Sequence, residues 1–299
     1  MSQSFIKGII LQRFFEVLKD INELIMFKHS VFSLPFIFIS MIVASSSING
    51  SVWFGWGLLI LGLLAAISAR NFAMAFNRYA DRDIDKHNPR TAARPSVDGR
   101  IGEKNLLLFI AINAFVFIFV AFMINSLAFW LSFPILFILA SYSIFKRFSS
   151  YAHLVLGVSL GLAPIAGVVA VSESITLWSV MLALGVMFWV AGFDLLYSLQ
   201  DIEFDKKEGL FSIPSVYGKD ATFFISRLFH ALTILFWLFF VIIAELGVWA
   251  YMALFVSAVT LYMEHRIVLK DFTKIDRAFF TLNGYLGIIF FIFILIDRF

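Results

Sequence analysis

Apolar stretches of about 20 residues recur along almost the whole chain, and they restrict its possible folds more than any other feature. Only helices and closed barrels satisfy their backbone hydrogen bonds inside a bilayer. The chain is 61% apolar and only 14% charged, which is outside the usual range of water-soluble domains. We therefore predict an all-α integral membrane protein whose nine transmembrane helices form a bundle. The predicted spans are residues 31–48, 53–76, 105–124, 127–145, 152–171, 176–199, 221–243, 247–264 and 278–296.

The positions of lysine and arginine support this number of spans. If the sides of the membrane alternate along the chain, all but two of the 23 basic residues lie on the side of the N-terminus. The exceptions are Arg70, inside a span, and Arg298, beside the C-terminus. By the positive-inside rule, the N-terminus and the charged loops are cytoplasmic and the C-terminus is outside. We expect the membrane to be a bacterial cytoplasmic (inner) membrane.

The sequence predicts two regions. Residues 1–29 are amphipathic at helical spacing and lack the features of a signal peptide, so we expect a cytoplasmic or interfacial segment. Residues 30–299 form a single transmembrane domain. There is no cysteine, which excludes disulfides and thiolate chemistry. The basic residues lie in short loops rather than on one continuous face, so nucleic-acid binding is not expected.

A cluster of charge follows the second apolar run. Asn77, Asp81 and Asp85 are spaced four residues apart, so on a helix they lie along one face. Neighbouring carboxylates repel one another and make a poor structural device, whereas Mg²⁺ prefers oxygen ligands of this kind. The spacing therefore indicates a metal site at the end of the span.

A second acidic cluster ends the sixth run. Asp194, Tyr197, Asp201 and Asp205 share one helical face. Tyr197, Asp201 and Asp205 follow Asn77, Asp81 and Asp85 by 120 residues each, which indicates a weak internal repeat. Both clusters are predicted on the same side of the membrane, where two Mg²⁺ ions would lie between them. The alternative is that these acids simply solvate helix ends, but two acidic faces at matching depth favour a site.

These motifs resemble the paired aspartate-rich motifs of the UbiA superfamily of intramembrane prenyltransferases. The resemblance continues in Tyr142, Lys146 and Arg147, and in the residues Gly157, Gly161, Pro164 and Gly167 of the fifth span. The passages 88–95 and 201–214 look like the 4-hydroxybenzoate branch, and more closely like polyprenyltransferases of the futalosine route to menaquinone. The stretch 96–100 departs from the usual sequence pattern of the family.

The resemblance implies a cytoplasm-facing active-site cavity and the transfer of a polyprenyl group from polyprenyl diphosphate to an aromatic acid. The acceptor would be 4-hydroxybenzoate-like, in ubiquinone or menaquinone synthesis. Prenylation of 1,4-dihydroxy-6-naphthoate is the main alternative, and haem or chlorophyllide are more remote acceptors. Other expected contacts are with membrane lipid, and the sequence gives no sign of an obligate protein partner.

Roles follow for the charged residues of both motifs. The metal ligands would be Asn77, Asp81, Asp85, Asp201 and Asp205, and the candidate donors to the diphosphate are Lys146, Arg147, Arg94 and Lys206. Tyr197 is the best aromatic candidate for stabilising an allylic cation.

Arg70 lies seven residues before Asn77, and Asp194 seven residues before Asp201. One hypothesis is that Arg70 binds the carboxylate or phenolate of the acceptor while Asp194 acts as general base. The alternative is a structural ion pair between the two. His153 and His230 lack metal-ligand spacing and are predicted to be structural. Gly157 and Gly161 are predicted to serve helix packing.

Two other classes of membrane protein also place acids in or near their spans. In an ion-coupled transporter the acids form a relay through the membrane, whereas here they cluster at one level. The phosphotransferases that use CDP-alcohols have a single clustered motif, whereas this chain has two separated ones.

Overall fold

The computed structural model describes residues 15–17, 19–26, 32–270, 275 and 278–299, and within these ranges it contains helices and no strands. The helices are α1 (Leu34–Asn49), α2 (Trp56–Ala80), α3 (Arg82–Asp85), α4 (Glu103–Ile124), α5 (Ser126–Phe145), α6 (Ala152–Ser172), α7 (Leu177–Ser198), α8 (Ile202–Glu208), α9 (Ile213–Ile243), α10 (Val248–Lys270) and α11 (Asn283–Arg298). A single 3₁₀ turn, Leu199–Asp201, joins α7 to α8, and a wide π turn, Ala278–Leu282, precedes α11.

Eight helices in the described part of the chain are long and apolar enough to cross a membrane. The one predicted span outside this set is the first, residues 31–48, which corresponds to α1; this helix has 16 residues and is therefore about 24 Å long. This length is shorter than a hydrocarbon core of about 30 Å. The all-helical architecture is confirmed, whereas the number of nine spans stays a prediction.

The packing of the helices leaves a space enclosed by α1, α2, α4, α5, α6 and α7. α6 packs against α1, α5 and α7, and α2 packs against α4 and α5. α7 also packs on α9. Further contacts join α9 to α10, α10 to α11, and α11 to α1. The outward faces of these helices carry exposed phenylalanines, among them Phe115, Phe119, Phe137, Phe224 and Phe255. Such a surface is suited to lipid.

Glycines allow α6 to approach α7 closely. A Cβ atom at Gly157 would overlap the carbonyl oxygen of Met187, and one at Gly161 would lie 2.8 Å from the carbonyl oxygen of Ala183. Small residues at such contacts let two backbones approach within a membrane. The prediction that this pair serves helix packing is therefore confirmed.

The N-terminal segment is described only in part, so much of the prediction for residues 1–29 lies outside the described residues. Residues 19–25 are helical, and Leu24 and Ile25 are buried in a cluster with Phe72, Leu106 and Leu139. These three residues belong to α2, α4 and α5, so this part of the segment is packed on the bundle. Met26, which follows, has a φ of 46°, in the left-handed region.

Candidate active site

The first acidic cluster lies at the end of α2 and in α3. Asp81 leaves the helical conformation at φ −97° and ψ 2°, so α2 ends there and α3 begins with the next residue. The amide of Asn77 donates to Oδ2 of Asp81 at 2.8 Å, and the ammonium of Lys146 lies 2.7 Å from the same oxygen. The other oxygen, Oδ1, is buried and has no hydrogen-bond partner within the described ranges of the chain. Burial raises the pKa of Asp81, although Lys146 opposes the shift.

The second acidic cluster is built in the same way. Asp201 has φ −101° and ψ 6°, close to the values of Asp81, and it also separates a long helix from a short one. Each acidic cluster therefore contains a break in the helix at its central aspartate. The change of direction at Asp81 and at Asp201 gives the two sites matching local geometry.

Three of the four metal-candidate aspartates are held by cations. Lys146 pairs with Asp81, Arg94 pairs with Asp85, and Arg90 binds both carboxylate oxygens of Asp201 at 2.7 and 3.3 Å. The fourth, Asp205, accepts a hydrogen bond from the hydroxyl of Ser212 at 2.7 Å. These cations reduce the repulsion that such closely placed carboxylates would otherwise suffer.

Arg90 connects the loop after α3 to the end of α7. Its guanidinium carbon lies 5.8 Å from the ring centroid of Tyr197, while its nitrogens bind Asp201. Burial alone would lower the pKa of Arg90, but the carboxylate of Asp201 outweighs this effect and holds the pKa above its usual value. Arg90 is thus a permanent cation between the two acidic clusters.

These side chains line one polar cavity of about 270 Å³. Its lining includes Asn77, Asp81, Asp85, Arg90, Arg94, Lys146, His153, Asp194, Tyr197, Asp201, Asp205 and Ser212. All five predicted metal ligands and the predicted residues Asp194 and Tyr197 therefore meet at one end of the bundle.

A second cavity of about 390 Å³ has mainly apolar walls. It lies between α1, α2, α4, α5, α6 and α7, and many of its lining residues are small, including Gly62, Ala65, Ala66, Ala69, Ala73, Ala163, Ala166 and Gly167. The two cavities share Asn77, Arg78, Arg90, Arg94, Tyr142, Leu156, Asp194 and Tyr197 as lining residues. The polar and apolar spaces are therefore neighbours, and all their shared lining residues except Leu156 are polar.

Arg70 and Asp194 both line the apolar cavity, but they are not an ion pair. A guanidinium nitrogen of Arg70 donates to the carbonyl oxygens of Ile25 and Met26, at 3.2 and 2.8 Å. Asp194 is 2.7 Å from Nδ1 of His153. The alternative of a mutual structural ion pair is therefore wrong, because each residue has a different partner. Nε of Arg70 is buried and has no hydrogen-bond partner among the residues that the structure describes.

Two predicted diphosphate donors lie outside the cavities. Arg147 binds Asp83 at 2.6 Å and the carbonyl oxygen of Ala80, and Lys206 is exposed on α8. Neither lines the polar or the apolar cavity. Of the four predicted diphosphate donors, the structure brings only Lys146 and Arg94 to the polar cavity. Lys206 points away because it follows Asp205 on a helix, where adjacent side chains face different directions.

The donor set of the polar cavity suits magnesium bound together with a substrate. Within the described ranges, no group of three or more His, Asp or Glu side chains is close enough to hold a metal ion by itself. Mg²⁺ usually takes one or two carboxylates and completes its ligands with water and substrate phosphates. The buried, unpartnered Oδ1 of Asp81 is an available ligand of this kind, so the residues fit the ion.

Comparison with known proteins places this site in a family. The model of the UbiA prenyltransferase family matches residues 33–295, which is most of the chain. The chain belongs to the UbiA prenyltransferase family. Relatives in this family include the 4-hydroxybenzoate octaprenyltransferase of Serratia proteamaculans, 28% identical over 79% of this chain and 81% of the relative. The enzyme of the same name from Dechloromonas aromatica is 34% identical over 55% of this chain and 56% of the relative.

Solved structures of UbiA homologues share the fold. The apo structure of the homologue from Aeropyrum pernix K1 has a TM-score of 0.81 and is 31% identical, with 91% of this chain and 98% of that chain covered. A homologue from Archaeoglobus fulgidus, bound to DMAPP and Mg²⁺, has a TM-score of 0.73 at 19% identity, with 93% and 99% covered. As a UbiA family member, this chain is a prenyltransferase and an integral membrane protein.

Two residues of this UbiA site were missed in the sequence. His153 was predicted to be structural because it has no metal-ligand spacing, yet it binds Asp194 and lines the polar cavity. Arg90 enters the sequence analysis only within the passage 88–95, with no role assigned to it. Its partner Asp201 is 111 positions away, and only the density of arginines in that loop could have indicated a role.

Proposed function

We propose that this UbiA family member transfers a polyprenyl group from polyprenyl diphosphate to the ring of an aromatic acid. The observation that carries the proposal is the shared wall between a cation- and aspartate-lined cavity and an apolar cavity. A polyprenyl diphosphate has a highly charged head and a long apolar tail. The head matches the polar cavity and the tail matches the apolar one.

The apolar cavity is deep enough for several isoprene units. On α2 its lining extends from Gly62 to Asn77, a helical distance of about 22 Å. The lining of α6 extends similarly from Leu156 to Ala170, about 21 Å. Small side chains on both helices leave space free along this length. The small residues thus have a role beyond packing.

The polar cavity is suited to magnesium together with diphosphate. Asn77, Asp81, Asp85, Asp201 and Asp205 would hold Mg²⁺, and we propose two ions because the clusters are duplicated. When bound, Mg²⁺ neutralises charge on the diphosphate as its bond to carbon breaks. The homologue structures with DMAPP or GPP and Mg²⁺ support this assignment.

Cations of the chain would then change partners. Lys146, Arg94 and Arg90 neutralise Asp81, Asp85 and Asp201 in the structure described. Bound metal would neutralise the carboxylates instead, and the three cations could turn to the phosphate oxygens. Tyr197 lines both cavities and would face the allylic carbon, where an aromatic ring stabilises developing positive charge.

The acceptor would lie between Arg70 and Asp194. Arg70 has a buried, unpartnered Nε in the apolar cavity, which would suit the carboxylate of an aromatic acid. Asp194 would serve as the base. The relatives named 4-hydroxybenzoate octaprenyltransferase support a 4-hydroxybenzoate-like acid, in ubiquinone or menaquinone synthesis. The alternative acceptor is 1,4-dihydroxy-6-naphthoate, which also carries one carboxylate.

We place the polar cavity at the cytoplasmic side of a bacterial inner membrane. The support is the concentration of lysine and arginine in the loops at this end of the bundle, to which the positive-inside rule applies. The C-terminus would then be outside.

The decisive experiment is a reconstituted transfer assay with mass analysis of the product. The purified protein is incubated with Mg²⁺, octaprenyl diphosphate and either 4-hydroxybenzoate or 1,4-dihydroxy-6-naphthoate. We expect a prenylated acid and released diphosphate, both abolished by EDTA. Equal diphosphate release without any aromatic acid would contradict the transfer, and absence of product with both acids would exclude the proposed acceptors.

A further inference from the structure

A buried histidine lies beside Asp194 at the polar end of the bundle. His153 is the second residue of α6, lines the polar cavity and is only 6% exposed. Its Nδ1 is 2.7 Å from Oδ2 of Asp194, which lines both cavities. Its other ring nitrogen, Nε2, is shielded from solvent and has no hydrogen-bond partner in the described part of the chain.

The short contact to Asp194 determines what the second nitrogen can do. A carboxylate can only accept a hydrogen bond, so Nδ1 carries the proton and Nε2 of the neutral imidazole is left with a lone pair. A histidine oriented by a carboxylate in this way is the usual arrangement of a general base. Buried polar atoms almost always have a partner, so the unused Nε2 indicates a hydrogen bond to substrate.

We propose that His153 is a catalytic residue whose Nε2 takes the hydroxyl proton of the aromatic acceptor, while Asp194 orients the imidazole. The inference rests on the proposed function and makes it more specific. It transfers the role of base from Asp194 to His153, and it requires an acceptor with a ring hydroxyl conjugated to the carbon that is attacked.

The reaction forms one carbon–carbon bond and breaks one carbon–oxygen bond. The hydroxyl proton passes to Nε2, and the ring carbon of the resulting phenolate bonds to the terminal carbon of the prenyl group. The carbon–oxygen bond of the donor breaks, and its electron pair leaves with the diphosphate. A diphosphate oxygen then takes the ring proton at the new bond, which restores the aromatic ring, and His153 returns its proton to the acceptor oxygen. One ring proton and one diphosphate are released in total.

The alternative role for His153 is to hold Asp194 without touching substrate. The two roles differ in what substitution does. Loss of a base lowers kcat for the acceptor reaction and leaves donor binding intact. Loss of a structural contact changes the shape of the shared wall and therefore raises KM for donor and acceptor together.

The test uses the full chain in vesicles with octaprenyl diphosphate, Mg²⁺ and the aromatic acid that the wild type prenylates. The variants are His153→Ala, His153→Gln and the matched control His87→Gln, whose imidazole is 60% exposed and lies outside both cavities. We expect both His153 variants to lose at least about 100-fold in kcat, as is typical of a general base, with donor KM within about 2-fold of wild type. Added imidazole should restore part of the activity of His153→Ala, and His87→Gln should match wild type.

Three results would overturn the proposal. They are wild-type kcat in His153→Gln, parallel rises of both KM values, and loss of activity in His153→Ala that imidazole does not relieve. If the wild type prenylates neither 4-hydroxybenzoate nor 1,4-dihydroxy-6-naphthoate, the proposed function fails as well. Failure of the function is thus distinguishable from failure of the role of His153.

Discussion

Asp81 and Asp201 occupy the same backbone conformation, 120 residues apart, each between a long helix and a short one. Each carboxylate is bound by a cation that comes from another part of the chain, Lys146 for Asp81 and Arg90 for Asp201. The two aspartates that the predicted internal repeat relates therefore have similar local backbone geometry. Two equivalent carboxylates facing one cavity are consistent with a shared role in binding metal and diphosphate.

Replacing either aspartate by asparagine should abolish magnesium-dependent turnover. Asparagine keeps the size of the side chain but lacks the charge that binds Mg²⁺, so we expect Asp81→Asn and Asp201→Asn to reduce kcat by roughly 100-fold or more. The measurement is product formation against Mg²⁺ concentration. Asp83→Asn is the matched control, because Asp83 pairs with Arg147 outside the cavity and should retain activity. Full activity in Asp81→Asn would contradict the metal assignment.

Arg90→Lys should weaken donor binding specifically. Lysine keeps the charge but loses the planar fork that binds both oxygens of Asp201 and covers the ring of Tyr197. We expect donor KM to rise by about 10-fold with a smaller change in acceptor KM, measured by steady-state kinetics with each substrate varied. Arg147→Lys, outside the cavity, should show wild-type donor KM. A rise in acceptor KM alone would place Arg90 at the other substrate.

Much of the site could be predicted from the sequence because its aspartates are close together along the chain. Asn77, Asp81 and Asp85 lie within nine residues, as do Tyr197, Asp201 and Asp205, and the alternation of spans between them predicts that both groups lie on one side of the membrane. The helices were also predictable, since α5 and α6 correspond to long apolar runs that Lys146 and Arg147 separate.

The contacts between distant segments could not be predicted in this way. His153 and Asp194 belong to neighbouring helices, and Gly157 and Gly161 set the distance between those helices. Nothing in the local pattern identifies His153 as a partner of Asp194. The same holds for Arg70. Its partners are the carbonyl oxygens of residues 25–26, and their position depends on how the N-terminal segment packs against α2.

Arg70→Ala should affect the aromatic acid more than the polyprenyl donor. Arg70 lines the apolar cavity, as does Asp194, and loss of its guanidinium would remove the proposed partner of the acceptor carboxylate. We expect acceptor KM to rise by about 10-fold or more, since charge-assisted hydrogen bonds of this type contribute about 1.5–3 kcal/mol. Donor KM should rise less. Equal rises would indicate that Arg70 only holds the carbonyl groups of Ile25 and Met26.

Gly185→Ala should destabilise the bundle at the contact between α7 and α9. A Cβ atom at Gly185 would overlap the indole ring of Trp237, which is fully buried. Such overpacking costs about 1–3 kcal/mol of the free energy of unfolding, measurable as a lower thermal midpoint in detergent. Gly57→Ala, where the added methyl would meet nothing within 4 Å, is the control and should be neutral or slightly stabilising. Equal midpoints for both variants would contradict the close packing.

Glu264 should tolerate glutamine but not alanine. It is buried on α10, where Oε1 accepts a hydrogen bond from the amide of Asn283 at 2.6 Å, and Asn283 in turn accepts one from the indole of Trp189 at 2.7 Å. The structure records no cation bonded to this carboxyl, and Oε2 has no hydrogen-bond partner in the described residues. An unpaired charge is costly in such an environment, so the uncharged amide of glutamine should fit this position. Glu264→Gln keeps the acceptor for Asn283 and should unfold within about 1 kcal/mol of wild type, whereas Glu264→Ala leaves that donor unpaired and should lose about 1–3 kcal/mol. Thermal unfolding of both variants in one detergent measures the difference, and a Glu264→Gln protein as unstable as Glu264→Ala would show that the negative charge itself is required.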